Sequence, residues 1–130
     1  VGLVNKLPAY MIDAIKSSLN ELVYSHLILL VMDVSQTLKN IKIKLNSCLH
    51  IINELQIPST RVLYLLNKVD LTTVNNAYEK SKMLGLTYPN NIVLPISAKT
   101  GYNTNKILDV IAMFVYGNNL EIQNSGDFQK

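Results

Sequence analysis

The 130-residue chain has the length of one domain, with 48% apolar residues, 16% charged residues and a formal net charge of +3. The apolar share is enough for a core and excludes a disordered chain, while the small net charge gives solubility and does not by composition alone mark a nucleic-acid binder. The single Cys48 cannot close an internal disulfide, which fits a reducing, cytoplasmic setting, and no apolar run reaches the roughly 18 residues of a membrane helix.

Residues 9–24 place Ile12, Ile15, Leu19, Leu22 and Val23 on one face at helical spacing. Leu27 to Met32 then runs apolar without a break and stops at Asp33, the pattern of a strand covered by helices on both faces of a parallel sheet. A long helix is predicted through Leu38, Ile41, Leu45, Cys48, Leu49, Ile52 and Leu55, with Lys39, Lys42 and Asn46 opposite. Asp33 or Ser35 would cap it, and Pro58 and Ser59 punctuate its end. A second strand, Val62 to Leu66, leads into Asn67-Lys68-Val69-Asp70. A shorter helix around Ala77–Leu84 stops at Gly85, as a helix C-terminal glycine does. A third strand, Ile92 to Ile96, leads into Ser97-Ala98-Lys99-Thr100-Gly101. The last helix carries Ile107, Leu108, Ile111, Phe114 and Val115, with Thr100 or Asn103 as its cap. From Gly117 onward no period remains, and residues 117–130 read as a flexible tail.

Strand and helix alternating in this way indicate a layered α/β fold, with three parallel strands joined by right-handed crossovers. Such sheets bind ligands outside the carboxyl ends of their strands. The polar clusters fall there: Asp33-Val34-Ser35, Asn67–Asp70 and Ser97–Gly101.

A carboxylate such as Asp70, held just beyond a strand, can accept two parallel hydrogen bonds from an N–H/NH₂ edge. Guanine presents that edge and adenine does not. Asn67 can bridge to a base nitrogen, and the aliphatic stem of Lys68 can cover the ring face. Ser97-Ala98-Lys99 follows the next strand, 27 residues after Asp70. There a backbone N–H near Ala98 can donate to the guanine carbonyl, with Lys99 on the opposite side of the base. Each cluster alone is also an ordinary polar turn. Two of them, in order after consecutive buried strands, favour base recognition.

These two motifs resemble the base-recognition motifs of Ras-like, translation-factor-class GTPases. Val1-Gly2-Leu3-Val4, Leu7-Pro8, Asp13-Ala14, Lys16-Ser17-Ser18-Leu19 and Glu21, followed by Leu29 to Ser35, make the resemblance more specific: the chain is similar to the HflX GTPases over residues 1–116. The resemblance implies a three-layer, P-loop NTPase-like (Ras-like) parallel sheet, present in part and lacking the phosphate-loop strand and the first half. It implies GTP or GDP as ligand, with Asn67, Lys68, Asp70, Ser97, Ala98 and Lys99 at the guanine. Gly2 would meet the terminal phosphate, and Leu3–Glu21 would form the switch region. Leu3 stands where many GTPases carry a water-orienting glutamine, so no catalytic residue is assigned, and Ile15 departs from the usual Phe. No G-x-x-x-x-G-K-[ST] occurs, and Gly2 and Gly85 are the first two glycines. The chain alone is therefore expected not to hydrolyse GTP, with Mg²⁺ belonging to the complete protein. Ribosome association, at the large subunit, is the implied partner. Val1 in place of Met suggests processing or a chain that continues upstream. Without a neighbouring strand, the uncharged Leu27–Met32 would be an open sheet edge and a template for a strand-swapped dimer.

Other residues read as structural: His26 and His50 have no metal-ligand spacing to Cys, Asp or Glu, Cys48 has the phase of a buried, inert core residue, and Lys39, Lys42 and Lys44 form a solvated face. Two further readings stay open, a non-catalytic G-domain remnant serving as an interaction module and an unrelated flavodoxin- or receiver-like domain.

Overall fold

A computed structural model of the protein describes Tyr24, Ser25 and residues 27–116. Gly2, Leu3, His26, the helix expected over 9–24 (apart from Tyr24) and the tail over 117–130 lie outside the described residues. Strand β1 (Ile28–Asp33) is followed by helix α1 (Leu38–Glu54), β2 (Val62–Asn67), α2 (Val74–Met83), β3 (Ile92–Pro95) and α3 (Thr104–Tyr116). Short 3-10 turns at Ser59–Arg61 and Val69–Leu71 flank β2. All strand pairs are parallel, in the order β1-β2-β3, with Asp33 beside Asn67 and Leu66 beside Pro95. This register brings the polar ends of the strands out at one edge of the sheet. It is the layered α/β arrangement that the alternating periods predict.

Two apolar layers hold the sheet. On one face Ile28, Leu30, Met32, Tyr64, Leu66 and Val93 form one core with Ile41, Leu45 and Ile52 of α1 and Ala77 of α2. On the other, Leu63, Leu65, Leu94 and Ile96 pack with Val110 of α3, and Ile107, Met113 and Phe114 are half-buried at its margin. Among the described residues the cover over β1 is one-sided: α3 packs over β2 and β3, and Leu29 stays 40% exposed and Val31 58% exposed. Among them β1 therefore departs from the expectation of a strand covered on both faces. An unbroken apolar run records what each face can bury, whereas the cover itself depends on where the crossing helix lies.

The helix ends explain the boundaries. Thr37 caps α1, its hydroxyl accepting the Asn40 amide at 3.3 Å. Asp33 and Ser35, the expected caps, instead close the preceding turn, with Asp33 Oδ1 accepting both the amide and the hydroxyl of Ser35. Helix α1 ends at left-handed Gln56 (φ 58°), where the Ile57 amide donates to the Ile52 carbonyl at 3.1 Å. Helix α2 ends in the same way at Gly85 (φ 78°), where the Leu86 amide donates to the Ser81 carbonyl at 3.0 Å. Gly85 is thus the helix stop that the sequence predicts, in a backbone conformation that suits glycine. At α3 the expected caps have other work. Thr100 Oγ1 accepts the Tyr102 amide at 3.3 Å, and Asn103 Nδ2 donates to the Pro95 carbonyl at 3.0 Å.

Candidate functional site

The site begins where the strands stop pairing. Beyond β2 and β3 the Ile96 amide donates to the Leu66 carbonyl at 2.9 Å, and the Val69 amide donates to the Ile96 carbonyl at 3.2 Å. These bonds carry the parallel register past the strand ends and place Asn67–Asp70 against Ser97–Gly101. Two side-chain bonds then tie the turns together. Asn67 Oδ1 accepts the Ala98 amide at 3.0 Å, and the Ser97 hydroxyl donates to Asp70 Oδ1 at 2.7 Å. Ser97 Oγ also accepts the Thr100 amide at 3.1 Å. Ser97 is fully buried, whereas Lys68, Asp70, Ala98 and Lys99 are exposed around it. Both turns use left-handed backbone, at Lys68 (φ 72°) and at Gly101 (φ 84°), where the absence of a Cβ lets the chain fold back so that the Gly101 amide reaches the Ser97 carbonyl at 2.8 Å.

Five of the six residues predicted to surround one ligand therefore share direct bonds or a turn: Asn67, Lys68, Asp70, Ser97 and Ala98. Lys99 continues the second turn on its exposed side. The Ala98 amide donates to the Asn67 side chain, so Asn67 acts as a latch between the turns.

Asp33 joins this cluster through the sheet register. Its Oδ2 lies 3.0 Å from Lys68 Nζ. Partial burial pushes the Asp33 carboxyl up, but the Ser35 hydroxyl, Lys68 and the Ser35 amide together outweigh it and hold the group below its ordinary value. Neighbouring backbone is fixed as well. The Val34 amide donates to the Asn67 carbonyl at 3.1 Å, and Lys80 Nζ of α2 donates to the carbonyls of Val34 and Gln36 at 2.9 and 2.7 Å. Among the described residues no group of three or more His, Cys, Asp or Glu side chains is placed to hold a metal ion.

The chain is 34% identical over 91 residues to the GTPase HflX of Thermofilum pendens, covering 68% of this chain and 22% of that protein. It is 30% identical over 122 residues to the GTPase HflX of Hyperthermus butylicus, covering 90% of this chain and 32% of that protein. The fold is similar to the crystal structure of a GTP-binding protein from the hyperthermophilic archaeon Sulfolobus solfataricus in complex with GDP, with a TM-score of 0.69 and 27% identity over 90% of this chain and 39% of that one. This chain is part of an HflX-like G domain. A structure of the SsGBP and GDP complex is likewise similar, with a TM-score of 0.65 and 29% identity over 96% of this chain and 38% of that chain. No family model matches. The HflX-like chain thus spans about a third or less of the curated relatives named above.

Two residues wired to these turns are given no role at the base in the sequence reading: Asp33, read there as part of a polar cluster and as a helix cap, and Lys80, which has no role there. Asp33 has a local signal, a carboxylate ending an apolar strand, but its partner Lys68 becomes visible only through the β1–β2 register. Lys80 reaches its carbonyl partners from 46 and 44 residues away, with no local signal at all. Away from the site, Cys48 is half-buried and burial pushes its thiol up, in keeping with an inert sulfur. His50 is exposed and sits 2.9 Å from Glu54 one helical turn on. Lys39, Lys42 and Lys44 lie exposed on α1, as expected of a solvated face. No helix among the described residues is long and apolar enough to cross a membrane.

Proposed function

We propose that this chain holds the guanine side of a GTP/GDP site, with Asn67, Lys68, Asp70, Ser97, Ala98 and Lys99 as the residues around the base. The observation that carries the reading is the joining of the two turns by the Asn67–Ala98 and Asp70–Ser97 bonds at the carboxyl ends of parallel strands. The bond from Ser97 occupies one oxygen of Asp70 and orients the carboxylate, which keeps acceptor capacity for a donor pair such as guanine N1–H and N2–H. Similarity to HflX GTPases and to GDP-bound structures supports the same ligand class.

Gly2 and Leu3 are proposed for the terminal phosphate and the switch, and residues 1–116 for the G-domain part. A protein that also carries a phosphate loop would hydrolyse GTP with Mg²⁺ and associate with the large ribosomal subunit in the cytoplasm. The residues assigned here bind and orient the base, and none is assigned to the chemical step. A second reading, an interaction module, draws on one observation: among the described residues β1 pairs on one side only, and Leu29 and Val31 are exposed beside that free edge. Such an edge at Leu27–Met32 favours a strand-swapped dimer.

The test is an NMR titration of the full 130-residue chain with GDP and with ADP. GDP is expected to shift the amides of Asn67–Asp70 and Ser97–Lys99, and ADP to leave them in place. Equal shifts with both nucleotides, or none with GDP, overturn the guanine reading.

A further inference from the structure

We propose that Asp33 is a positioning residue for the base site, anchoring the Lys68 ammonium so that the lysine stem is already held in one line beside Asn67 and Asp70 when a nucleotide arrives. This rests on the guanine reading above and adds a residue from a different strand to it.

The argument starts from the backbone. Lys68 lies between the two base-side residues Asn67 and Asp70, in a left-handed conformation (φ 72°, ψ 33°) that turns it away from the strand direction. Its side chain is 50% exposed, so packing alone does not hold it. The hold comes from Asp33 Oδ2 at 3.0 Å. Asp33 is suited to this because it is itself fixed. It stands beside Asn67 in the β1–β2 register, and its Oδ1 is occupied by the amide and hydroxyl of Ser35, which leaves Oδ2 for the lysine. The next residue, Val34, donates its amide to the Asn67 carbonyl at 3.1 Å. Lys80 then pins the turn by donating to the carbonyls of Val34 and Gln36. The backbone that carries the carboxylate is thus tied to the same residue, Asn67, whose side chain latches the two base-side turns.

Two consequences follow for binding. Ordering a long lysine side chain at the moment of binding costs affinity, and an anchor formed beforehand removes that cost. A paired ammonium also presents its aliphatic flank, suited to a flat base, with its charge already matched. Asp33 therefore acts through Lys68 and does not touch the base.

The test uses the full 130-residue chain and GDP, with xanthosine diphosphate as the comparison nucleotide. Asp33→Asn is expected to weaken GDP binding about three- to tenfold, and to raise the fast motion of the Lys68 Cε methylene measured by relaxation in the free chain. In a Lys68→Met background, Asp33→Asn is expected to weaken binding no further, because the group it anchors is gone. Lys68→Arg, which keeps a cation within reach of Asp33, is expected to lose less GDP affinity than Lys68→Met. Unchanged GDP affinity in Asp33→Asn, or additive effects of Asp33→Asn and Lys68→Met, overturns the proposal. If Asp33→Asn does not fold, Lys68→Met and Lys68→Arg decide: equal losses in both show that the anchor is not what matters. Asp70→Asn is the control for the underlying reading, since an amide suits the xanthine edge better than the guanine edge. A preference that fails to move toward xanthosine diphosphate overturns the guanine reading itself. A preference that does move, alongside an inert Asp33→Asn, overturns the positioning role alone.

Discussion

The Ser97 hydroxyl donates to Asp70 Oδ1 at 2.7 Å, and Ser97 Oγ itself accepts the Thr100 amide at 3.1 Å. One buried atom therefore holds both turns, the first through a carboxylate and the second through its own backbone. Ser97→Ala removes both bonds at once and leaves the Thr100 amide without this acceptor. The expected cost is about 1–3 kcal/mol of stability, the net worth of two hydrogen bonds, one of them to a carboxylate. Urea denaturation of the variant is expected to show a lower midpoint with an unchanged slope, and the Ala98 amide resonance to move. An unchanged midpoint contradicts the bridging role.

The Asp33 carboxyl is held below its ordinary value of 3.8, with burial opposed by the Ser35 hydroxyl, Lys68 and the Ser35 amide. A depressed folded value means that the unfolded chain binds this proton more readily. Stability from the group is then fully present above the ordinary value and is lost as the pH falls through the depressed one. Melting temperature measured from pH 6 downward is expected to fall less steeply for Asp33→Asn than for the original chain in the region at and below pH 3.8. Parallel curves over that region would show that the carboxylate carries no such linkage.

Much of this fold is legible in the residues themselves. The run Val62–Leu66 is buried in full, because β2 is the central strand with helices over both faces. Gly85 ends its helix where the sequence places it, since a left-handed residue has a local signature. The site was legible as two clusters, yet its wiring was not. That Asn67 latches Ala98 and that Lys68 meets Asp33 are properties of strand register, which couples residues 31 and 35 positions apart. The misplaced caps have a similar cause. Asp33 is a good cap by residue type, but its place in the β1–β2 register directs it to Lys68 and its own turn, leaving the role to Thr37.

Gln56 occupies the left-handed position that ends α1, with φ 58°. A side chain in that conformation costs about 1–2 kcal/mol, and glycine escapes this penalty while adding some freedom to the unfolded chain. The bonds of the helix end, from Ile57 to Ile52 and from Gln56 to Asn53, use backbone atoms alone and survive the change. Gln56→Gly is therefore expected to stabilise the protein by about 0.5–1 kcal/mol, read as a higher denaturation midpoint. A loss of stability would mean that the glutamine side chain contributes more than its backbone strain costs.

Leu63 and Val31 lie on the same face of the sheet, on adjacent strands, and test how far α3 reaches. Leu63 is completely buried beneath α3, whereas Val31 is 58% exposed. Leu63→Ala is expected to cost about 2–5 kcal/mol, because the cavity it leaves is enclosed. Val31→Thr nearly keeps the shape and adds a hydroxyl that water can reach, so it is expected to stay within about 0.5 kcal/mol. Sedimentation separates the remaining cases. If copies pair through the free edge of β1, Val31 is buried in the dimer, and Val31→Thr both lowers the melting temperature and weakens association as concentration falls. A cost for Val31→Thr close to that of Leu63→Ala, with no dependence on concentration, would mean that the face is covered from within the chain, and the open-edge reading of β1 would fail.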